Sequence, residues 1–279
     1  MFNNLAMLQN SISSISEAMT IVSSNAQLFQ TDGAKQTTYS FGPIFSEASA
    51  SLSKSVSIVM TGYDMSQGGI KPGKPLNAAI NGQGFFVLQP DNSNQQALTR
   101  ASEFFFNSNG TLVDIYNRKV KGYRMVNGKP DKSELVDITL DPEKTNLADV
   151  GFEDNGVLTS NYQARKAATE NNRLSDTMPE GEPLFQLAVA YVPNPSRMNQ
   201  IQGNAFYTTN VSGPISYYGT SNEKNLGSVF GGSSESSNVN PAETTIIGLQ
   251  HQRAYQLMQA TVSMSTKFVS QLLELTSKA

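Results

Sequence analysis

The first thirty residues place an apolar side chain at alternating steps of three and four. These positions are Leu5, Leu8, Ile12, Ile15, Met19, Val22, Ala26 and Phe29. The spacing predicts a helix with a heptad seam, meaning one apolar stripe along its length. The opposite face is rich in Ser, Asn and Gln, and Glu17 is the only charged residue of the segment. Such a helix takes most of its stability from packing, so we expect it to be ordered only when another surface covers it.

A second helix is predicted for residues 241–279. Asn240 can cap it, Pro241 suits its first position, and Glu243 follows the cap by three residues as in a capping box. Its apolar residues share one broad face at helical spacing and are Ala254, Leu257, Met258, Val262, Met264, Phe268, Val269, Leu272 and Leu275. We expect the two terminal helices to pair. Spacing alone leaves open whether they pack within one chain or between chains.

The middle of the chain has the alternation and turn residues of β-structure. Six strands are predicted between residues 75 and 126, and further strands at 184–192 and 203–208. Asn-Gly pairs, which favour tight hairpins, occur at Asn81-Gly82, Asn109-Gly110, Asn127-Gly128 and Asn155-Gly156. By contrast, residues 31–74 are Ser-rich and weakly patterned, and residues 219–240 are rich in Gly and Ser.

These patterns predict an α+β fold with a mostly β middle. The terminal segments 1–30 and 241–279 would form a coiled-coil-like inner domain, and residues 75–218 an antiparallel β-rich outer domain. Residues 31–74 and 219–240 would be an extended linker with short strands and its returning connection.

Composition excludes several classes of protein. The chain has 279 residues and a net charge of −3, which argues against nucleic acid as a partner. It contains no Cys, so disulfides and thiolate metal sites are excluded. No apolar run approaches the ~18 residues of a membrane span, and we expect no membrane insertion. The N-terminus lacks a basic segment followed by an apolar one, so we expect no cleaved secretion signal.

The residues that usually carry chemistry form no recognisable site. His251 is the only histidine, and the carboxylates lie scattered on predicted turns with nothing to select a catalytic pair. Asn81-Gly82-Gln83-Gly84 is too short for a phosphate loop, and we expect its glycines to form a hairpin turn. Phe104-Phe105-Phe106 is expected to be a strand with one face in the core and one in a subunit contact. We therefore predict a non-enzyme with no catalytic residue, no cofactor and no metal.

Several motifs resemble those of the bacterial flagellar axial proteins, the family of rod and hook subunits. Near the N-terminus the matching positions are Asn25, Thr31, Gly33 and Lys35. A second match runs from Pro75 to Val87, and it continues through Thr99-Arg100, Asn109-Gly110-Thr111-Leu112-Val113 and Gly122-Tyr123. Gly203-Asn204-Ala205-Phe206-Tyr207, Ser237-Asn238-Val239-Asn240 and Gln252-Arg253-Ala254-Tyr255 complete it. The chain departs from the family pattern at Asn77, usually Asp, and at Ser102, usually Gly.

The resemblance implies a structural subunit that is exported unfolded by the flagellar type III apparatus and stacks helically into a hollow shaft. It would be a homo-oligomer that contacts other rod and hook subunits and transmits torque in the periplasm-spanning rod of the basal body. The residues expected at its assembly interface are Leu5, Leu8, Ile12, Ile15, Met19, Val22, Asn25, Asn238, Val239, Gln252, Arg253, Tyr255, Met258, Val262 and Leu272.

Three alternatives differ from a rod subunit. A hook or hook-like subunit would lie outside the cell, although hook subunits are usually longer. A secreted β-rich binding protein or adhesin would fold completely as a monomer and bind a ligand. A cell-wall hydrolase would need a carboxylate or histidine essential for lysis, and the sequence nominates none.

Overall fold

The computed structural model describes residues 2–45, 54–91, 93–163, 166 and 181–277. Both predicted helices are present: α1 spans Phe2–Leu28 and α2 spans Pro241–Ser277. The Asn240 side chain accepts hydrogen bonds from the backbone N–H groups of Ala242 and Glu243, at 3.1 and 3.4 Å, as expected of a cap. Short 3₁₀ helices lie at Leu147–Asp149, Asp154–Gly156 and Pro195–Arg197.

The described residues also form twenty strands. In chain order, β1 to β10 are Thr37–Phe45, Lys54–Tyr63, Ile70–Pro72, Ala78–Asn81, Phe85–Gln89, Ala97–Thr99, Phe104–Phe106, Leu112–Asp114, Lys119–Val126 and Lys129–Pro130. Strands β11 to β20 are Val136–Asp137, Gly151–Phe152, Val157–Thr159, Pro183–Leu187, Val189–Tyr191, Asn199–Ile201, Ala205–Tyr207, Tyr217–Gly219, Ser228–Gly231 and Ser233–Glu235. Every strand pair is antiparallel, and the α+β class with terminal helices is confirmed.

The chain divides into two compact units. Unit 1 is drawn from residues 1–29, 36–64 and 239–279, and unit 2 from residues 30–35 and 65–238. In unit 1, α1 contacts α2 and also the hairpin formed by β1 and β2. The hairpin pairs Thr37 with Tyr63 at one end and Phe45 with Lys54 at the other, with a bulge at Ser40 and Phe41.

This hairpin differs from the extended linker expected over residues 31–74. Its strands have nine and ten residues and belong to the same unit as the helices. Aromatic and β-branched residues recur along both strands, as in Tyr39, Phe41 and Ile58, and they favour pleated pairing over a flexible connection. The Ser-rich composition had concealed this pattern.

Unit 2 is built on a large antiparallel sheet that contains fourteen of the described strands, with the order β12-β13-β14-β9-β5-β6-β17-β16 along its main path. Its core is aromatic and aliphatic: Phe86, Phe104 and Phe152 meet edge to face, with ring centroids 5.6 and 6.4 Å apart. The Asn127-Gly128 turn closes β9 on β10 as predicted, with positive φ at both residues.

Strands β4 and β5 do not pair with each other across Asn81-Gly82, so the hairpin predicted there is wrong. Strand β4 pairs with β19, whereas β5 pairs with β6, β9 and β15. Gly82 has φ +111°, and a Cβ there would lie 2.9 Å from the Cα of Gly227. The glycine therefore permits a close approach of two backbones where the chain leaves one sheet for another.

The returning connection at 219–240 is likewise more ordered than expected. It contains β19, which pairs with β4, and β20, which pairs with β3. Val229 and Ser234 are each only 1% exposed, so this Gly- and Ser-rich segment is part of the packed body of unit 2.

Candidate assembly surface

The buried stripe of α1 only partly coincides with the predicted heptad seam. Its buried residues are Ser11, Ser14, Ile15, Ala18, Val22 and Asn25. Ser11 and Ser14 can be buried because each hydroxyl donates to the carbonyl four residues earlier, at 3.0 and 3.1 Å. The seam residues Leu8, Ile12 and Met19 are consequently only half-buried, and Phe29 is 44% exposed.

Asn25 is occupied inside unit 1. Its Nδ2 donates to the carbonyl of Thr37 at 2.8 Å, and its Oδ1 accepts from the Thr37 N–H at 2.9 Å. The side chain is 2% exposed and mimics a strand partner for the first residue of β1. This expected interface residue therefore fastens the hairpin to α1.

One face of α2 packs within unit 1. Along it, half-buried residues recur at steps of three and four, including His251, Tyr255, Met258 and Val262. The His251 ring lies 5.8 Å from that of Tyr39 and 5.9 Å from that of Phe41, and the Tyr39 hydroxyl is hydrogen-bonded to His251 Nε2. Burial lowers the pKa of His251 and raises the pKa of Tyr39.

A second apolar face of α2 is exposed. Five large side chains on it are more than half exposed: Ile246 56%, Leu257 70%, Met264 65%, Phe268 55% and Leu275 68%. Ile246, Leu257 and Phe268 are separated by eleven residues, as are Met264 and Leu275. Eleven residues make just over three helical turns, so these side chains form one nearly straight line, named here the outer stripe.

The sequence placed all these apolar residues on one broad face. The structure divides that face into a half-buried inner part and the outer stripe, and it adds Ile246, which the sequence prediction omitted. The difference arises because hydrophobic spacing shows which residues avoid water but not which neighbour covers each of them.

Residues 79–160, which lie in unit 2, match the family described as flagellar hook protein FlgE/F/G D1 domain. The flagellar basal-body rod protein FlgG of Buchnera aphidicola subsp. Schizaphis graminum is 28% identical over 226 residues, covering 80% of this chain and 74% of that protein. FlgG of Buchnera aphidicola subsp. Acyrthosiphon pisum is 28% identical over 200 residues, covering 71% of this chain and 64% of that protein.

Both comparisons support the flagellar rod and hook axial family. This family consists of structural proteins of the flagellum, and the resemblance stated from the motifs is confirmed.

The remaining interface residues expected from the axial family are distributed over both units. Gln252 and Arg253 are exposed on α2, and Val239 is 4% exposed just before that helix. Asn238 belongs to unit 2, where its Nδ2 donates to the carbonyl and hydroxyl oxygens of Ser66, both at 3.2 Å. Leu5 and Leu272 lie on the helices, but their side chains fall outside the described residues.

Three exposed apolar side chains outside the expected interface set occur on the hairpin. Phe41 on β1 and Val59 and Met60 on β2 are 39%, 64% and 48% exposed. Aromatic and β-branched content over 37–63 is the signal that could have identified them.

The described residues contain no group of three or more His, Cys, Asp or Glu side chains placed to hold a metal ion. Within the same residues, neither helix combines the length and hydropathy that a membrane span requires.

Proposed function

We propose that this chain is a structural subunit of the flagellar rod, which polymerises helically through unit 1 and transmits torque without chemistry. The observation that carries the proposal is the outer stripe of α2. Monomeric soluble proteins rarely expose contiguous apolar patches, and those that do generally use them to bind. The stripe extends from Ile246 to Leu275, about 44 Å at 1.5 Å per residue.

The two faces of α2 support a polymer rather than a closed dimer. The inner face is already packed against α1 and the hairpin, so a second copy must use a different surface of the helix. A contact that joins two different surfaces is heterologous, and it continues into a helical array unless the rotation closes a ring. The half-buried seam of α1, with Leu8, Ile12 and Met19, supplies a partner surface of matching character.

The expected interface residues fit this proposal in two ways. Leu8, Ile12, Met19, Gln252 and Arg253 retain exposed surface for contact with neighbours. Ile15, Val22, Asn25 and Val239 are buried and would act by shaping the helices and the hairpin. Phe41, Val59 and Met60 of the hairpin are further apolar side chains of unit 1 with exposed surface for contact.

The names of the relatives favour the rod over the hook, because both are rod proteins. We extend this to location and partners: a periplasm-spanning rod, delivery by the flagellar export apparatus, and contacts with other rod and hook subunits. A labelled subunit imaged in cells separates the alternatives, since a rod subunit lies within the envelope and a hook subunit lies outside the cell.

The test uses adjacent residues on different faces of α2. Leu257→Asp places a charge in the outer stripe, whereas Gln256→Asp adds the same charge at a neighbouring exposed position. Burying a carboxylate in an apolar contact is costly, so we expect Leu257→Asp to abolish self-association and incorporation into basal bodies. Gln256→Asp should retain both.

Sedimentation of the purified full chains measures association, and imaging of complemented cells measures incorporation. Assembly of Leu257→Asp at the level of Gln256→Asp would refute the role of the outer stripe.

A further inference from the structure

Glu235 is a buried carboxylate that contacts two cations and one amide within unit 2. Its Oε1 lies 2.6 Å from Nζ of Lys35 and accepts from the N–H of Gly68 at 3.0 Å. Its Oε2 lies 3.1 Å from Nη1 of Arg100. Lys35 and Glu235 are 0% exposed and Arg100 is 4% exposed. We call these four residues the Glu235 clamp.

The clamp lies beside the places where the chain enters and leaves unit 2. These are Gln30, Lys35, Met65 and Asn238. Lys35 itself is one exit, and its Nζ also donates to the carbonyl of Ser66 at 2.7 Å, next to the return at Met65.

Backbone hydrogen bonds connect the other places where the chain enters and leaves unit 2 to the same region. The N–H of Gly33 donates to the carbonyl of Glu235 at 2.7 Å, and the N–H of Asn238 donates to that of Ala34 at 3.3 Å. Each of the four residues at which the chain enters or leaves unit 2 therefore lies within a few residues of Glu235 or of a group that bonds to its side chain or backbone.

Two glycines beside the Glu235 clamp leave no room for a larger side chain. Gly33 has φ +67°, and a Cβ there would lie 2.4 Å from the N of Ala101. At Gly68 a Cβ would lie 1.9 Å from the carbonyl oxygen of Ser236. Both glycines are required because backbone segments from distant parts of the sequence approach each other closely.

The charge balance makes Glu235 the critical member. Two buried cations share one carboxylate, and the carbonyls of Ser66, Ile80 and Gly82 accept further hydrogen bonds from them. Removing one partner of a buried ion pair leaves an uncompensated charge, which is far more damaging than losing an exposed pair. Neutralising Glu235 would remove the anion from both cations at once, whereas neutralising Lys35 would leave the Arg100–Glu235 pair.

We propose that the Glu235 clamp is a conformational lock, which holds the four chain passages of unit 2 together independently of the large β-sheet. Lys35 and Glu235 are 200 residues apart in sequence, so the N-terminal passage becomes fixed only when the segment around Glu235 has docked.

Amide hydrogen exchange of the purified full chain tests this lock without relying on the proposed assembly. In Glu235→Gln we expect the Gly33, Gly68 and Asn238 amides to exchange roughly 100-fold faster or more. The core amides of Leu112 and Ile138, which donate to backbone carbonyls at 2.8 and 3.0 Å, should keep their rates. Glu103→Gln is the matched control, because Glu103 pairs with Lys74 at 2.7 Å on the surface, and it should change none of these rates.

Wild-type rates at Gly33, Gly68 and Asn238 in Glu235→Gln would overturn the proposal, as would an equal rise at Leu112 and Ile138. If Glu235→Gln yields no folded chain, Lys35→Met decides. This variant keeps the buried Arg100–Glu235 pair, and it should accelerate exchange at the Gly33 and Asn238 amides selectively. Unchanged rates at those two amides would overturn the proposal.

Discussion

Units 1 and 2 distribute their apolar residues in opposite ways. Unit 2 encloses a continuous core in which Phe86, Leu112 and Ile138 are fully buried. Unit 1 buries small or polar residues on α1, such as Ala18 and Ser14, and leaves Leu257 and Phe268 of α2 largely exposed. Unit 2 encloses its apolar residues in its own core, whereas unit 1 leaves large apolar side chains exposed, as the proposed assembly requires.

The largest expected difference between the units is the loss of unfolding free energy when a phenylalanine ring is removed. Phe86→Ala removes a ring that is 0% exposed and packs edge to face on Phe104, so we expect a loss of about 3–5 kcal/mol in the free energy of unfolding of unit 2. Phe268→Ala, at a ring that is 55% exposed, should change the unfolding free energy of the monomer by less than about 0.5 kcal/mol. Denaturant unfolding of both variants measures this contrast, and comparable losses would show that the outer stripe is already covered within the chain.

A smaller effect is expected at the junction of α1 and the hairpin. Asn25→Ala leaves the N–H and carbonyl of Thr37 without the side chain that bonds both, so unit 1 should lose about 1–3 kcal/mol. Gln27→Ala, at an exposed position two residues further along α1, should be close to neutral. Helix-specific circular dichroism during thermal unfolding follows unit 1, and equal midpoints for the two variants would contradict the fastening role of Asn25.

The sequence predicted those parts of the fold that local patterns determine. Alternation located β4 to β9, β14, β15 and β17 of unit 2, Asn127-Gly128 marked a real hairpin, and Asn240 marked the start of α2. The prediction from the sequence failed at Asn81-Gly82 because β4 pairs with β19, which lies far along the chain. No local sequence signal indicates that partner. The Glu235 clamp was missed for the same reason, although Lys35 and Arg100 belonged to motifs that carried the family resemblance.

The smallest expected effect is the pH dependence of unit 1 through His251, the only histidine of the chain. Burial lowers its pKa in the folded state, so the unfolded chain binds the proton more tightly. The stability associated with neutral His251 is therefore present above its unfolded pKa of about 6.5 and is lost as the pH falls through the lower folded value. Because the side chain is only half-buried, the loss between pH 7 and 5 should be only a few tenths of a kcal/mol.

His251→Gln separates this effect from the titration of carboxylates. The variant keeps a polar side chain facing Tyr39 and Phe41 but cannot titrate, so its unfolding free energy should vary less between pH 7 and 5 than that of the wild type. Chemical unfolding followed by helical circular dichroism at both pH values measures the difference. Identical pH dependence would mean that protonated His251 is accommodated where it lies, and that the aromatic contact between the hairpin and α2 holds unit 1 together by packing alone.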